Sequence, residues 1–227
     1  MKGLDTNEAG LSRIQRMAGK PQVWLIIILA IASLAIIRQM TLKSVEMPPV
    51  LGSVQSFTLE NQRGEVFGSE QLLGGIWFGS VVCTACNSMD PAMLKRLSEV
   101  QHRSRGLGNE FHLVSLSLDP EKDTTDALYQ MARSSGASTR AWMFLRGAEK
   151  SLYAVIVDLY GAQSGSDPAS PLQGSLAPDH PHMMVLVDQI GQVRGRYDLR
   201  QMEEVDRMMV HAGLIANTPS QNSPAAP

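Results

Sequence analysis

Two cysteines three residues apart, directly after an apolar segment, constrain this chain more than any other feature. Cys83 and Cys86 follow Ile76–Val82, whose apolar, aromatic and β-branched residues are typical of a buried strand. From Met89 onward the residues have the pattern of a helix that continues to about His102. We therefore expect a strand, a short loop and a helix, with both cysteines at the helix start, where the helix dipole favours a thiolate.

Paired cysteines at this spacing can close a disulfide or bind one metal ion. A structural zinc site with four cysteines is excluded, because the chain contains only two. The position between a strand and a helix is typical of a thioredoxin-like redox motif. A static disulfide, or two small buried residues without reactivity, is the simpler alternative.

An apolar run without a charge occupies residues 23–37. With Trp24 at one interface and Arg38 reaching the other, it predicts a transmembrane anchor over residues 23–40. A signal peptide cleaved near Ala30 and Ala32 is the rival interpretation, but the apolar run continues beyond that site. The modest excess of basic residues before the run favours a cytoplasmic N-terminus and a domain on the periplasmic side.

The remaining pattern predicts the domain organisation. Residues 1–22 form a cytoplasmic segment, residues 41–50 a Pro-containing linker, residues 51–215 one domain and residues 216–227 a disordered tail. An N-terminal hairpin over residues 57–67 precedes alternating strand and helix signals, which predict an α/β domain with a mainly parallel sheet. The net charge of −2 gives no indication of nucleic-acid binding.

Four segments, read together, resemble the SCO family of membrane-anchored thioredoxin-fold proteins, and the resemblance extends over most of residues 54–198. The segments are Phe78-Gly79 with Cys83 four residues later, the Ser115-Leu116-Ser117-Leu118-Asp119-Pro120 stretch that continues to Thr124, Trp142 to Gly147, and Asp179-His180 followed by the turn from Asp188 to Gly191. This family delivers copper to cytochrome c oxidase. The resemblance therefore implies a thioredoxin-like fold and a respiratory complex as partner.

The resemblance also implies a copper site. Cys83, Cys86 and His180 correspond to the two thiolates and one imidazole that hold Cu(I) in the family, a ligand set that suits a soft ion. The chain departs from the family in having Cys-x-x-Cys, without prolines, in place of Cys-x-x-x-Cys. The shorter spacing is equally that of disulfide exchange enzymes, in which Cys83 would attack and Cys86 would resolve the mixed disulfide.

Three functions thus stay open at this stage: a copper chaperone, a thiol-disulfide oxidoreductase without metal, and an accessory subunit of a respiratory complex. Pro181 corresponds to the cis-proline of thioredoxin folds, which is a further expectation from the resemblance. Residues 161–178 are rich in Gly and Pro, and we expect them to become ordered when metal binds. His102, His112 and His211 are interpreted as surface residues.

Overall fold

The computed structural model of the protein describes residues 21–41, 46–86, 91–107, 111–138, 140–161 and 182–218. The chain divides into two compact units, residues 1–46 and 47–227. In the first unit, helix α1 spans Pro21–Thr41, and its large side chains from Trp24 to Leu29 are exposed. Within the described ranges, no helix has both the length and the apolarity needed to cross a membrane. The predicted helix is therefore present, whereas its membrane insertion is unconfirmed.

One eight-stranded sheet forms the centre of the second unit, with strand order β1-β8-β7-β4-β5-β6-β2-β3. The strands are β1 Gly52–Ser53, β2 Thr58–Asn61, β3 Val66–Gly68, β4 Ile76–Val82, β5 Phe111–Ser117, β6 Trp142–Arg146, β7 Met183–Val187 and β8 Gln192–Asp198. All seven residues of β4 are buried, as expected for a central strand that is covered on both faces.

The prediction of a mainly parallel sheet is wrong. Among the described strands, only β4 with β5 and β5 with β6 pair in parallel, and the other neighbours are antiparallel. The predicted hairpin is confirmed as β2–β3, and its turn includes Gly64 at a φ of 77°. Hairpin connections need few residues, so β2–β3 and β7–β8 add antiparallel pairs on both sides of a parallel centre.

Among the described residues, four helices cover the two faces of the sheet: α2 Pro91–Ser104, α3 Thr125–Ser134, α4 Glu149–Tyr160 and α5 Met202–Ala216. One core cluster joins α2, α3 and α5 to side chains such as Phe78 and Met184, and the other joins α4 to side chains such as Trp77 and Leu116. Alternate residues of each central strand thus enter opposite cores. Met184 is a packing residue, since its side chain is fully buried in the first of these clusters.

Several predictions fall outside the described residues. They concern the N-terminal segment up to residue 20, residues 42–45 of the linker, most of the tail, and the segment 162–181. That segment contains His180 and Pro181, so the proposed third copper ligand and the cis-proline stay predictions.

Candidate functional site

The two cysteines lie at the carboxyl end of the central strand. Cys83 directly follows β4 and is 1% exposed, whereas Cys86 is half-buried. Their sulfurs form a disulfide, with 5.4 Å between the Cα atoms. This end of β4 lies beside the end of β5, because the Leu118 N–H donates to the carbonyl of Val82 at 2.8 Å. The redox-capable pair is therefore held at one edge of a rigid sheet.

The expectation that the cysteines occupy the start of the helix needs correction. Residues 83–86 form a turn, and the helix that follows in the described chain begins at Pro91. Proline suits the first helical position, since it has no backbone N–H to satisfy there. Both cysteines therefore lie in the turn, outside the described part of α2.

A buried carboxylate anchors the cysteine turn. Asp123 is completely buried, and its Oδ1 accepts hydrogen bonds from the backbone N–H of Thr84 at 2.7 Å and from the Thr84 hydroxyl at 2.6 Å. Its Oδ2 accepts from the hydroxyl of Ser117 at 2.6 Å and from the N–H of Asp119 at 3.4 Å. Thr84 lies between the two cysteines, so Asp123 ties their turn to the end of β5.

The loop that carries Asp123 is itself held from outside. The guanidinium of Arg146 donates to the carbonyl of Asp123 at 3.0 Å and to that of Pro120 at 3.1 Å. Within the loop, Lys122 pairs with Asp119 at 2.7 Å. The hydrogen bond from the Lys122 ammonium lowers the pKa of the Asp119 carboxyl. These contacts fix the loop that carries Asp123.

The histidines interpreted as surface residues are only partly placed as predicted, since His102 is exposed but His112 is half-buried in β5. His182 immediately precedes β7, and its Nδ1 is buried without a hydrogen-bond partner. His211 is not a plain surface residue, because its Nδ1 lies 2.7 Å from the buried hydroxyl of Tyr197.

No group of three or more His, Cys, Asp or Glu side chains arranged to hold a metal ion occurs in the part of the chain that the structure describes. The described residues thus bring together two of the three predicted copper ligands, Cys83 and Cys86, and His180 lies outside them. As a disulfide, the sulfurs are oxidised, so they have no thiolate to offer a metal. The arrangement can exchange its disulfide with other thiols, and after reduction it can offer two sulfur ligands.

Asp123, Thr84 and Ser117 are the parts of the site that sequence reasoning missed. The position of Asp123 before a helix favours a turn or cap role, but the cap of α3 is Thr124, which accepts from the N–H of Ala127. The signal was available in the topology: β4 and β5 are adjacent and parallel, so residues after their carboxyl ends meet.

A mixed sheet with helices on both faces and a cysteine pair after its central strand defines a thioredoxin-like protein. The chain belongs to the SCO1/SenC family, whose family model matches residues 49–211. The predicted family is therefore confirmed over most of the chain.

Three relatives illustrate the similarity. A SCO1 protein homolog of Bacillus subtilis is 29% identical over 103 residues, which make up 45% of this chain and 53% of that protein, so the match spans about half of the relative. BsSco is a member of the Sco family of cytochrome c oxidase assembly proteins, and a disulfide switch was identified in it. Its structure matches this one with a TM-score of 0.57 at 21% sequence identity, over 72% of this chain and 98% of the BsSco chain. The structure of Bradyrhizobium japonicum ScoI with copper bound matches with a TM-score of 0.54 at 20% sequence identity, over 72% of this chain and 99% of the ScoI chain.

Proposed function

We propose that this chain is a copper-handling, thiol-based assembly factor for cytochrome c oxidase. The observation that carries the proposal is the Cys83–Cys86 pair, which a SCO1/SenC chain holds at the end of its central strand. Related proteins of the same fold support it, since BsSco belongs to a family of oxidase assembly proteins and ScoI binds copper.

In this proposal copper is cargo, and the reduced cysteines receive it. Two thiolates with an imidazole suit Cu(I), because soft sulfur ligands favour this ion over hard divalent cations. Cys83 and Cys86 supply the sulfurs, and His180 supplies the imidazole. The disulfide must be reduced first, so copper loading is coupled to the redox state of the pair.

Cu(I) titration of the reduced full-length chain, in competition with a chelator of known affinity, tests the proposal. We expect Cys83→Ser, Cys86→Ser and His180→Ala each to weaken binding by about a hundredfold or more, beyond the effect of losing an outer-shell partner. His102→Ala is the control, because His102 is exposed on α2. Binding that survives Cys86→Ser, or only a few-fold loss with His180→Ala, would remove this site.

A second candidate function is thiol-disulfide exchange with the cysteines of an acceptor protein, without carriage of metal. The specific observation in its favour is that the pair forms a disulfide in which Cys86 is half-buried rather than fully buried. Reduction of an acceptor disulfide in the absence of copper would support it. A reduced chain that transfers copper but leaves an acceptor disulfide intact would contradict it.

We also propose that helix α1 anchors the chain in a membrane, with the thioredoxin-like unit on the periplasmic side. The charge-free run of residues 23–37 and the exposed apolar side chains of α1 support this location. Membrane fractionation followed by protease accessibility in intact cells tests it. Recovery of the chain in the cytoplasmic fraction would contradict both the anchor and its orientation.

A further inference from the structure

The two sulfurs of the disulfide differ in how firmly the fold holds them. Cys83 is 1% exposed and directly follows a strand that pairs on both sides. Cys86 is half-buried and comes two residues after Thr84, with the exposed Ala85 in between. An incoming thiol therefore meets the sulfur of Cys86 before that of Cys83.

The hydrogen bonds to Asp123 act on the Cys83 side of the turn. Both bonds from Thr84 engage the residue bonded to Cys83, at 2.7 Å and 2.6 Å. Within the described residues, the carboxylate of Asp123 makes no hydrogen bond to Cys86. Opening of the turn to expose Cys83 would break two bonds to a buried carboxylate, and hydrogen bonds to charged groups are among the stronger ones in proteins.

Asp123 cannot easily follow such a movement. Its second carboxylate oxygen is held by the hydroxyl of Ser117, at the end of β5. Its backbone carbonyl accepts a hydrogen bond from Arg146, at the end of β6. Three neighbouring strand ends are thus connected through one residue, by its side chain at β4 and β5 and by its backbone at β6, so the sheet determines the position of Thr84.

We propose that Asp123 is a positioning residue that holds Cys83 in place through Thr84, so that Cys86 is the sulfur that exchanges with partner thiols. This order reverses the roles expected from the sequence, in which Cys83 attacks. The inference depends on the proposed use of the cysteine pair, but not on copper binding.

The exchange is a two-step reaction that is balanced in atoms, electrons and protons. A thiolate of a partner dithiol attacks Sγ of Cys86, the Cys83–Cys86 bond breaks, and Cys83 leaves with the bonding electron pair. The second partner thiolate then attacks the partner sulfur of the mixed disulfide and releases Cys86. The partner dithiol is oxidised to a disulfide, the cysteine pair is reduced, and the two protons lost by the partner are balanced by protons taken up by the cysteines from solvent.

Single-cysteine chains in exchange with oxidised glutathione test the assignment. The Cys83→Ser chain retains only Cys86, and the Cys86→Ser chain retains only Cys83. Mass spectrometry follows formation of the mixed disulfide, and rates are compared per thiolate from their pH dependence. We expect Cys86 to react about tenfold faster than Cys83, because access to the attacking thiol contributes to the rate.

Substitutions of the two positioning residues are then added to each single-cysteine chain. In the Cys86→Ser chain, Asp123→Asn should accelerate the reaction of Cys83 by about tenfold and Thr84→Val by about threefold, because Thr84→Val retains the backbone donor. Thr84→Ser keeps the hydroxyl and should restore the slow rate. In the Cys83→Ser chain, none of these substitutions should change the reaction of Cys86.

Ser117→Ala is the matched control for general loosening, since it removes one hydrogen bond of Asp123 but leaves both bonds to Thr84. It should lower the melting temperature and accelerate Cys83 much less than Asp123→Asn does, because both bonds between Asp123 and Thr84 remain. Equal rates of Cys83 and Cys86, or a Cys83 rate unchanged by both Asp123→Asn and Thr84→Val, would overturn the proposal. Acceleration by Ser117→Ala as large as that by Asp123→Asn would also overturn it. The assay contains no copper, so a failed copper titration would leave its result intact.

Discussion

Reduction of the Cys83–Cys86 disulfide should lower the free energy of unfolding by about 2 kcal/mol. The disulfide closes a ring with a sequence separation of only three residues. In the chain-entropy description, a loop of about four residues removes roughly 6 cal/mol/K from the unfolded state, which corresponds to about 1.9 kcal/mol at 25 °C. The hydrogen bonds from Thr84 to Asp123 keep the turn in place in the oxidised chain. Strain in the folded state should therefore reduce the stabilisation by the disulfide only slightly.

Urea unfolding of oxidised and reduced protein measures this difference. Trp77 and Trp142 are buried, so their fluorescence reports loss of the core. With an m-value of about 2 kcal/mol/M, the midpoint of the reduced chain should lie about 1 M lower. A chain with both Cys83→Ser and Cys86→Ser is the control, since reductant should not move its midpoint.

A reduced form that is as stable as the oxidised form, or more stable, would refute the reasoning. By the thermodynamic cycle that joins folding to disulfide formation, equal stability would mean that folding does not favour the disulfide, and a more stable reduced form would mean that folding favours the dithiol. The protein would then act as an oxidant of partner thiols rather than hold a stable disulfide.

Three further predictions concern the rest of the domain. Gly195→Ala should destabilise the fold by about 2 kcal/mol in urea unfolding, because the new methyl would clash with the hydroxyl oxygen of Tyr197, and the loss should largely disappear in a Tyr197→Leu background. Burial lowers the pKa of His211, so the unfolded chain binds the proton at a higher pH than the folded chain does. The free energy of unfolding, measured with urea at a series of pH values, should therefore fall as the pH drops from about 6.5 towards the folded pKa. His211→Gln should remove this pH dependence. Trp142→Phe should cost about 2 kcal/mol in urea unfolding, because it leaves a void and removes the indole donor 2.9 Å from the Ser115 hydroxyl; an unchanged midpoint would show that this buried hydrogen bond contributes nothing.

Local pattern predicted most of the elements correctly, because burial and turn chemistry act over a few residues. The β4 segment was recognisable from its unbroken apolar run, and the helix Met202–Ala216 from the spacing of residues such as Val205 and Met208. Strand direction was not recognisable in the same way. Both parallel and antiparallel central strands are apolar on two faces, so the sequence of β7 does not show that it pairs antiparallel to β4.

The candidate site likewise contains residues that the local sequence indicates and a residue that it does not. Cysteine spacing and a strand-to-helix transition are local features, and they indicated Cys83 and Cys86 without any structure. Asp123 is 39 residues from Thr84 in sequence, and its role depends on the adjacency of β4 and β5. An aspartate that follows a strand and precedes a helix normally acts as a turn or cap residue, so composition favoured the wrong role.

The opposite directions of β5 and β7 on either side of β4 determine which parts of the chain can meet the cysteines. In a fully parallel sheet, this edge would receive only segments that leave strands. Here β5 ends at the edge and β7 begins there, so it receives an outgoing and an incoming segment. Substitutions in the segment that enters β7 can therefore alter what approaches the sulfurs. The segment that leaves β5, with Asp123, meanwhile keeps the cysteine turn in place.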